Sequence, residues 1–370
     1  MVEVKTDYHV ILAGAGAVVQ EKFTPEVLDK LGSSTQRYIF DLDHRRLLDT
    51  ETRKRSSKLV VADGEATPFK IPEGREREYV GIVATPEHLG VIRSLTESGV
   101  RKFIVEKPLV NNTTEIAELH KLLSQYPDLK VYPLDFYVQK ATPLLVLTGA
   151  ISSDDPRREW VTEGTSGDLY EHIGELEGIQ VTVFEGGGFG LPDLAKRKWL
   201  EEDSLRGGQL LDLGTHALTP LIAAGVIPVS GVKVESATRE ILGDDRHSFT
   251  KAPPYRPEIV SKATLSIPAS EGYIPCIMTV GKSFHSGGMW ELVLRGSRGD
   301  LVMGLRTGQR LTVIPKSAPT FEMSLKINDP YGLAFQEADM YFRGIGGFDG
   351  NLPAMLKSIE IIDQIKAKSP

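Results

Sequence analysis

Cysteine is nearly missing from this chain: Cys276 is the one example in 370 residues. That excludes an internal disulfide framework and fits a reducing, cytoplasmic setting. Cys276 lies in an apolar strand-like run, so a buried, inert thiol is expected. Met1 to Asp7 carry no apolar h-region, and no signal peptide is expected. Long hydrophobic runs are also missing. The longest, Ala217 to Val229, contains Thr219 and Pro220 and falls short of the about 20 residues that cross a bilayer. Positive charge is in short supply: 43 Lys and Arg stand against 50 Asp and Glu, a net −7. No nucleic-acid partner and no membrane partner are expected from that balance. There is no internal repeat and no low-complexity tract.

What is present begins with length. A chain of 370 residues suggests two domains, since domains mostly run to roughly 100–200 residues. Tyr8 to Ala13 reads as a buried strand, and Gly14-Ala15-Gly16-Ala17-Val18-Val19 follows it. A Gly-rich turn between strand and helix lets backbone approach a pyrophosphate at the helix N-terminus. The third glycine position of the full pattern is Val19, so the motif is incomplete. Thr24 to Leu31 reads as helix. Arg37 to Phe40 reads as a second strand, ending in Asp41, 25 positions after Gly16. An acid near that spacing binds a ribose 2′-hydroxyl and repels a 2′-phosphate. The cofactor expectation is therefore NAD or NADP, with NAD favoured by Asp41; Arg45 and Arg46 leave NADP open.

Strands continue at Tyr79–Ala84, at Phe103–Val105 and at Lys130–Leu134. Helices fall between them, to Ser98 with Gly99 as C-cap and from Asn112 to Gln125. Strands alternating with helices mean a parallel sheet. The strand at 103–105 runs into Glu106-Lys107-Pro108, and Pro108 cannot donate to a sheet. Ligands bind at the carboxyl ends of strands in such sheets, which puts Lys107 where a substrate would sit.

Taken in order, these elements resemble the Gfo/Idh/MocA oxidoreductases, the family of glucose-fructose oxidoreductase and inositol 2-dehydrogenase. The resemblance rests on Gly14-x-Gly16, Asp41, Ala84-Thr85-Pro86-x-His88, Glu106-Lys107-Pro108 and Gly207-Gly208-x-x-x-Asp212-x-Gly214-x-His216. It implies an α/β Rossmann domain plus an α+β domain with an open, mostly antiparallel sheet. The expected division is 1–134 for the NAD(P)-binding domain and 135–370 for the substrate-binding and oligomerisation domain. Carried over to this chain, the resemblance makes Lys107 the catalytic lysine, with Asp212 and His216 its partners. Gly14, Gly16, Ala17, Val18, Asp41, Thr85, Pro86, His88 and Glu106 would hold the cofactor. A homodimer or homotetramer through the open sheet is the family's expectation.

The second half is compatible with this on its own residues. Asp212 and His216 are four apart and share one face of an apolar helix. No cysteine and no second nearby histidine completes a ligand set, so no metal site is expected. Pro220 has no N–H for the carbonyl four residues back, which is that of His216. A kink or irregularity is expected there, with the carbonyl open to water or a side chain. Strands are read at 178–184, 232–238, 258–267, 273–280, 290–295 and 301–305, and closing helices at 331–342 and 352–366. Glu185 to Gly190 reads as a loop. Leu134-Asp135-Phe136-Tyr137-Val138-Gln139-Lys140 is similar to the Asp-His-Tyr-Leu-Gly-Lys element of glucose-6-phosphate dehydrogenases. That likeness would place Tyr137 and Lys140 at a substrate phosphate, although Phe136 replaces the histidine.

The functional expectation is hydride transfer between nicotinamide and a hydroxyl or keto carbon of a sugar, polyol or sugar derivative. A hexose 6-phosphate dehydrogenase and a non-catalytic dinucleotide sensor are the alternatives. His216 suits the general acid/base, since an unperturbed imidazole titrates at about 6.5.

Overall fold

The computed structural model describes residues 8–14, 17–31, 37–40, 71–85, 87–162, 168–186, 208–241, 258–283, 288–304, 310–345 and 349–369. They form two compact units. The first is a five-stranded parallel sheet of β1 (His9–Ala13), β2 (Arg37–Phe40), β3 (Tyr79–Val83), β4 (Lys102–Glu106) and β5 (Lys130–Leu134), in the order β2-β1-β3-β4-β5. Strands β3 and β4 are buried along nearly their whole length. That is why they read as continuous apolar runs rather than as alternating ones.

The helices of this unit are α1 (Ala17–Lys22), α2 (Pro25–Leu28), α3 (His88–Glu97) and α4 (Thr113–Gln125). The single helix expected over 24–31 is shorter: Pro25 sits at its start, and the last turn, Asp29–Leu31, tightens to a 3₁₀ turn. Helix α3 closes as expected around Gly99. The φ of Gly99 is +106, which side chains avoid; its N–H donates to Thr96 O at 3.0 Å, and the Val100 N–H donates to Leu95 O at 3.0 Å. This pair of hydrogen bonds is the Schellman arrangement.

The second unit is built on an eight-stranded sheet ordered β13-β12-β11-β10-β6-β9-β8-β7. Its strands are β6 (Leu176–Gly186), β7 (Lys233–Ile241), β8 (Glu258–Ala269), β9 (Gly272–Ser283), β10 (Met289–Gly296), β11 (Gly299–Gly304), β12 (Arg310–Pro315) and β13 (Phe321–Ser324). All neighbours pair antiparallel except β6 and β9. The expected strands end at Leu305, yet the sheet continues through β12 and β13. Both strands are short, β13 lies at the sheet edge, and β12 ends in Pro315, which weakens the sequence pattern. Cys276 is buried on the inner face of β9, where burial pushes its thiol up to about 12.

Helices of this unit include α5 (Phe136–Lys140, from Tyr137 onward), α6 (Thr142–Leu147), α7 (Leu169–Ile173) and α8 (Gln209–Ala223). Every residue of α8 from Gln209 to Ile222 is buried. One side contacts β6, β8 and β9. Gly214 allows close approach on another side: a Cβ there would lie 3.2 Å from Ile362.

The last two helices, α9 (Pro330–Arg343) and α10 (Leu352–Lys368), part company. Residues 353–370 cluster with the second unit. Residues 329–352, expected in the second domain, cluster with the first. The reason is apolar: Ala334, Phe335, Ala338 and Phe342 of α9 complete the core around Tyr8, Phe23 and Tyr132. Lys130 adds to this by donating to the Tyr341 and Phe342 carbonyls at 3.1 and 2.9 Å, at the negative end of α9. No helix among the described residues is long and apolar enough to cross a membrane.

Candidate active site

In the first unit the candidate residues gather because the sheet is parallel. All its strands deliver their carboxyl ends to one edge. Gly14 follows β1, Ala84 and Thr85 follow β3, and Glu106-Lys107-Pro108 follow along β4. Gly14 has φ +104, and a Cβ there would lie 2.5 Å from Ala84 O. Only glycine fits this close approach of two strand ends. The Thr85 hydroxyl is buried beside it without a hydrogen-bond partner. A narrow glycine cradle with an unsatisfied hydroxyl at the strand ends fits a dinucleotide.

Val19 explains the incomplete glycine motif. Its side chain is 1% exposed and belongs to the apolar core, so this position serves packing. Its neighbour Val18 is exposed on α1, and Ala17 opens that helix. Gly16, Asp41, Pro86 and Gly207, as well as Arg45, Arg46 and Gly187 to Gly190, lie outside the described residues.

His88 is the first residue of α3 and is buried. Its Nδ1 lies 2.8 Å from the Pro108 carbonyl, which can only accept, so Nδ1 carries the proton. Burial pushes the imidazole down to about 4; the bonds to the backbone of Pro108 and Leu109 oppose that, and the nearby Lys107 charge adds to it. His88 is therefore neutral at physiological pH. It ties α3 to the loop after β4, next to half-buried Lys107 and buried Glu106. The Lys107–Pro108 peptide is cis.

In the second unit, Asp212 and His216 lie one turn apart on α8, each 4% exposed. Gln209 stands one turn before Asp212 on the same stripe, buried, with Oε1 unpartnered. The Tyr137 ring packs on the His216 imidazole, with centroids 4.4 Å apart and planes at 54°. Lys140 Nζ stands over the same Tyr137 ring, 4.8 Å from its centroid. Thus Tyr137 and Lys140 do come together, and Tyr137 meets His216.

Helix α8 passes through Pro220 without a break. The His216 carbonyl is taken by a side chain, as one of the expected outcomes had it: Trp290 Nε1–H donates to it at 3.1 Å. Trp290 was not among the candidate residues. Pro220 announces an open carbonyl and the alternation of β10 turns Trp290 inward, but neither signal in the sequence joins the two. Among the described residues no group of three or more His, Cys, Asp or Glu is placed to hold a metal ion.

A five-stranded parallel sheet and, in the same chain, a separate and mostly antiparallel eight-stranded sheet define a two-unit α/β plus α+β fold. Solved structures agree. KijD10, a 3-ketoreductase from Actinomadura kijaniata in complex with TDP-benzene and NADP, matches over 98% of each chain with a TM-score of 0.66 at 17% identity. An oxidoreductase from Thermotoga maritima matches over 98% of this chain and 97% of its own, with a TM-score of 0.65 at 13% identity. At such identities the likeness carries the fold. No family model and no curated protein matches the sequence.

Proposed function

We propose that this chain is an NAD(P)-dependent oxidoreductase that moves a hydride between nicotinamide and a hydroxyl or keto carbon of a sugar, polyol or sugar derivative. The observation that carries the reading is the strand-end edge of the first unit. There the Gly14 cradle and the Thr85 hydroxyl neighbour the strand that ends at Glu106, just before Lys107. The whole-chain fold shared with a ketoreductase that binds NADP supports it.

Gly14, Thr85 and the start of α1 would hold the cofactor, with Gly16, Ala17, Val18, Asp41, Pro86, His88 and Glu106 completing its surroundings. Asp41 favours NAD, and NADP in the neighbour keeps both cofactors in the test. When bound there, a nicotinamide would supply or accept the hydride. His216 takes the hydroxyl proton on oxidation and returns it on reduction. Lys107 donates to the reacting oxygen and stabilises its developing negative charge. Asp212 orients a hydroxyl or His216, and the unsatisfied Gln209 Oε1 accepts from another substrate hydroxyl.

Tyr137 and Lys140 give a hexose phosphate a specific second hearing, because Lys140 puts a cation beside the Tyr137–His216 pair. Nucleotide-linked sugars join the substrate panel because the ketoreductase neighbour binds a TDP derivative. The test is turnover of NAD and NADP, in both directions, over free, phosphorylated and nucleotide-linked hexoses and inositols. Cofactor binding without any turnover would favour the sensor instead.

The outer face of the large sheet supports a homodimer or homotetramer. One rung across it, Val302–Val293–Gln180–Ile277–Thr264, carries no charge. Tyr273 and Ile277 are 51% and 40% exposed there.

A further inference from the structure

Helix α8 holds His216 one turn before a proline. Pro220 has no N–H, so the His216 carbonyl loses its ordinary helical donor. Residues 209–222 are buried, and a buried carbonyl without a partner is costly. Trp290 removes that cost. It lies inward on β10, in register with Val183 of β6, and its indole N–H donates to His216 O at 3.1 Å. The same indole stacks on Tyr137, with centroids 6.0 Å apart and planes at 14°. Tyr137 in turn packs on the His216 imidazole at 4.4 Å. Trp290 therefore reaches His216 by two routes: directly at the backbone, and through Tyr137 at the ring.

We propose that Trp290 is a positioning residue for His216, fixing its carbonyl by a hydrogen bond and its imidazole through the Tyr137 ring. This rests on the reading of His216 as the proton-transfer group. Trp290 itself touches no reacting atom in the proposal. Packing alone would need no N–H at position 290, and a phenylalanine would serve. Positioning by the hydrogen bond needs the N–H only because residue 220 is proline. An alanine at 220 would supply a helical N–H to the same carbonyl and relieve Trp290 of the task.

That dependence sets the test, made on the full chain in four forms: wild type, Trp290→Phe, Pro220→Ala and the double variant. The first readout is the His216 imidazole Cε1–H resonance, identified by its loss in His216→Gln. The second is kcat against KM on whichever sugar of the panel turns over. Trp290→Phe is expected to move the His216 resonance and to lower kcat about 10- to 100-fold, with KM little changed. The double variant is expected to bring the resonance back towards its wild-type position and to recover most of the kcat.

An unmoved His216 resonance in Trp290→Phe, or an equal loss in the double variant, would overturn the proposal. Should Trp290→Phe not fold alone, the double variant carries the test. It must fold, since the carbonyl regains a partner, and its failure to fold would also overturn the proposal. A moved resonance in a protein that turns over no sugar would defeat the proposed function and leave the positioning intact. Turnover with an unmoved resonance would do the reverse.

Discussion

The two units present their chemistry in opposite ways. In the first, the candidate groups are largely backbone and strand ends: the Gly14 cradle, the turn at Thr85, and the Pro108 carbonyl held by His88. In the second, they are side chains on one fully buried helix, set against the rings of Tyr137 and Trp290. A parallel sheet collects its strand ends at one edge whatever the side chains are, so that half of the chemistry follows from topology. The antiparallel unit offers no such edge. It places Asp212 and His216 by helix periodicity and fixes them by packing.

Several changes would break or sharpen that contrast, beginning with the largest effect. Lys107→Ala is expected to cut turnover by several orders of magnitude while leaving cofactor binding near normal, as measured by steady-state kinetics and nicotinamide fluorescence titration. Wild-type-like turnover would remove Lys107 from its role. Acidification comes next and acts through the first unit. His88 has a folded pKa of about 4 and an unfolded one of about 6.5. Between those values the unfolded chain binds the extra proton. Stability from this group is therefore whole above pH ~6.5, falls as pH drops, and levels off below about 4, a loss on the order of 3 kcal/mol. Denaturant unfolding of wild type against His88→Asn across that window reads it, and equal pH slopes in the two proteins would contradict it.

Gly14→Ala tests the backbone character of the first unit. Its Cβ would meet Ala84 O and its φ is positive, so a destabilisation of ~1–3 kcal/mol with weakened cofactor binding is expected. Thermal unfolding and the same fluorescence titration measure both, and an unperturbed variant would deny the close approach. The smallest expected effect on activity is that of Ile277→Lys on the outer sheet face. It should lower the association state in sedimentation with little change in the fold by circular dichroism. An unchanged state would move the subunit contact elsewhere.

The contrast also explains what could be read in the sequence. Strands β1, β3, β4 and β5 are legible because buried strands are continuous apolar runs, the first three of them followed by Gly, Thr-Pro or Lys-Pro. The stripe of Asp212 and His216 was legible from its spacing of four. The open carbonyl was legible from Pro220, but its donor was not, because Trp290 is 74 residues away and meets His216 only through sheet register. Helix α9 reads as amphipathic in any setting, and nothing local says that its Phe335 and Phe342 fill the core of the first unit. The family resemblance puts His88 at the cofactor. Its bond to Pro108 joins the start of α3 to the loop after β4, 20 residues on, which periodicity does not report.

The most direct test of the central claim is the absorbance of reduced nicotinamide with the wild-type chain, NAD or NADP, and the panel of free, phosphorylated and nucleotide-linked sugars and inositols. The account predicts sustained turnover with at least one member of the panel, abolished in Lys107→Ala. Binding of reduced cofactor with no turnover by any member would contradict it.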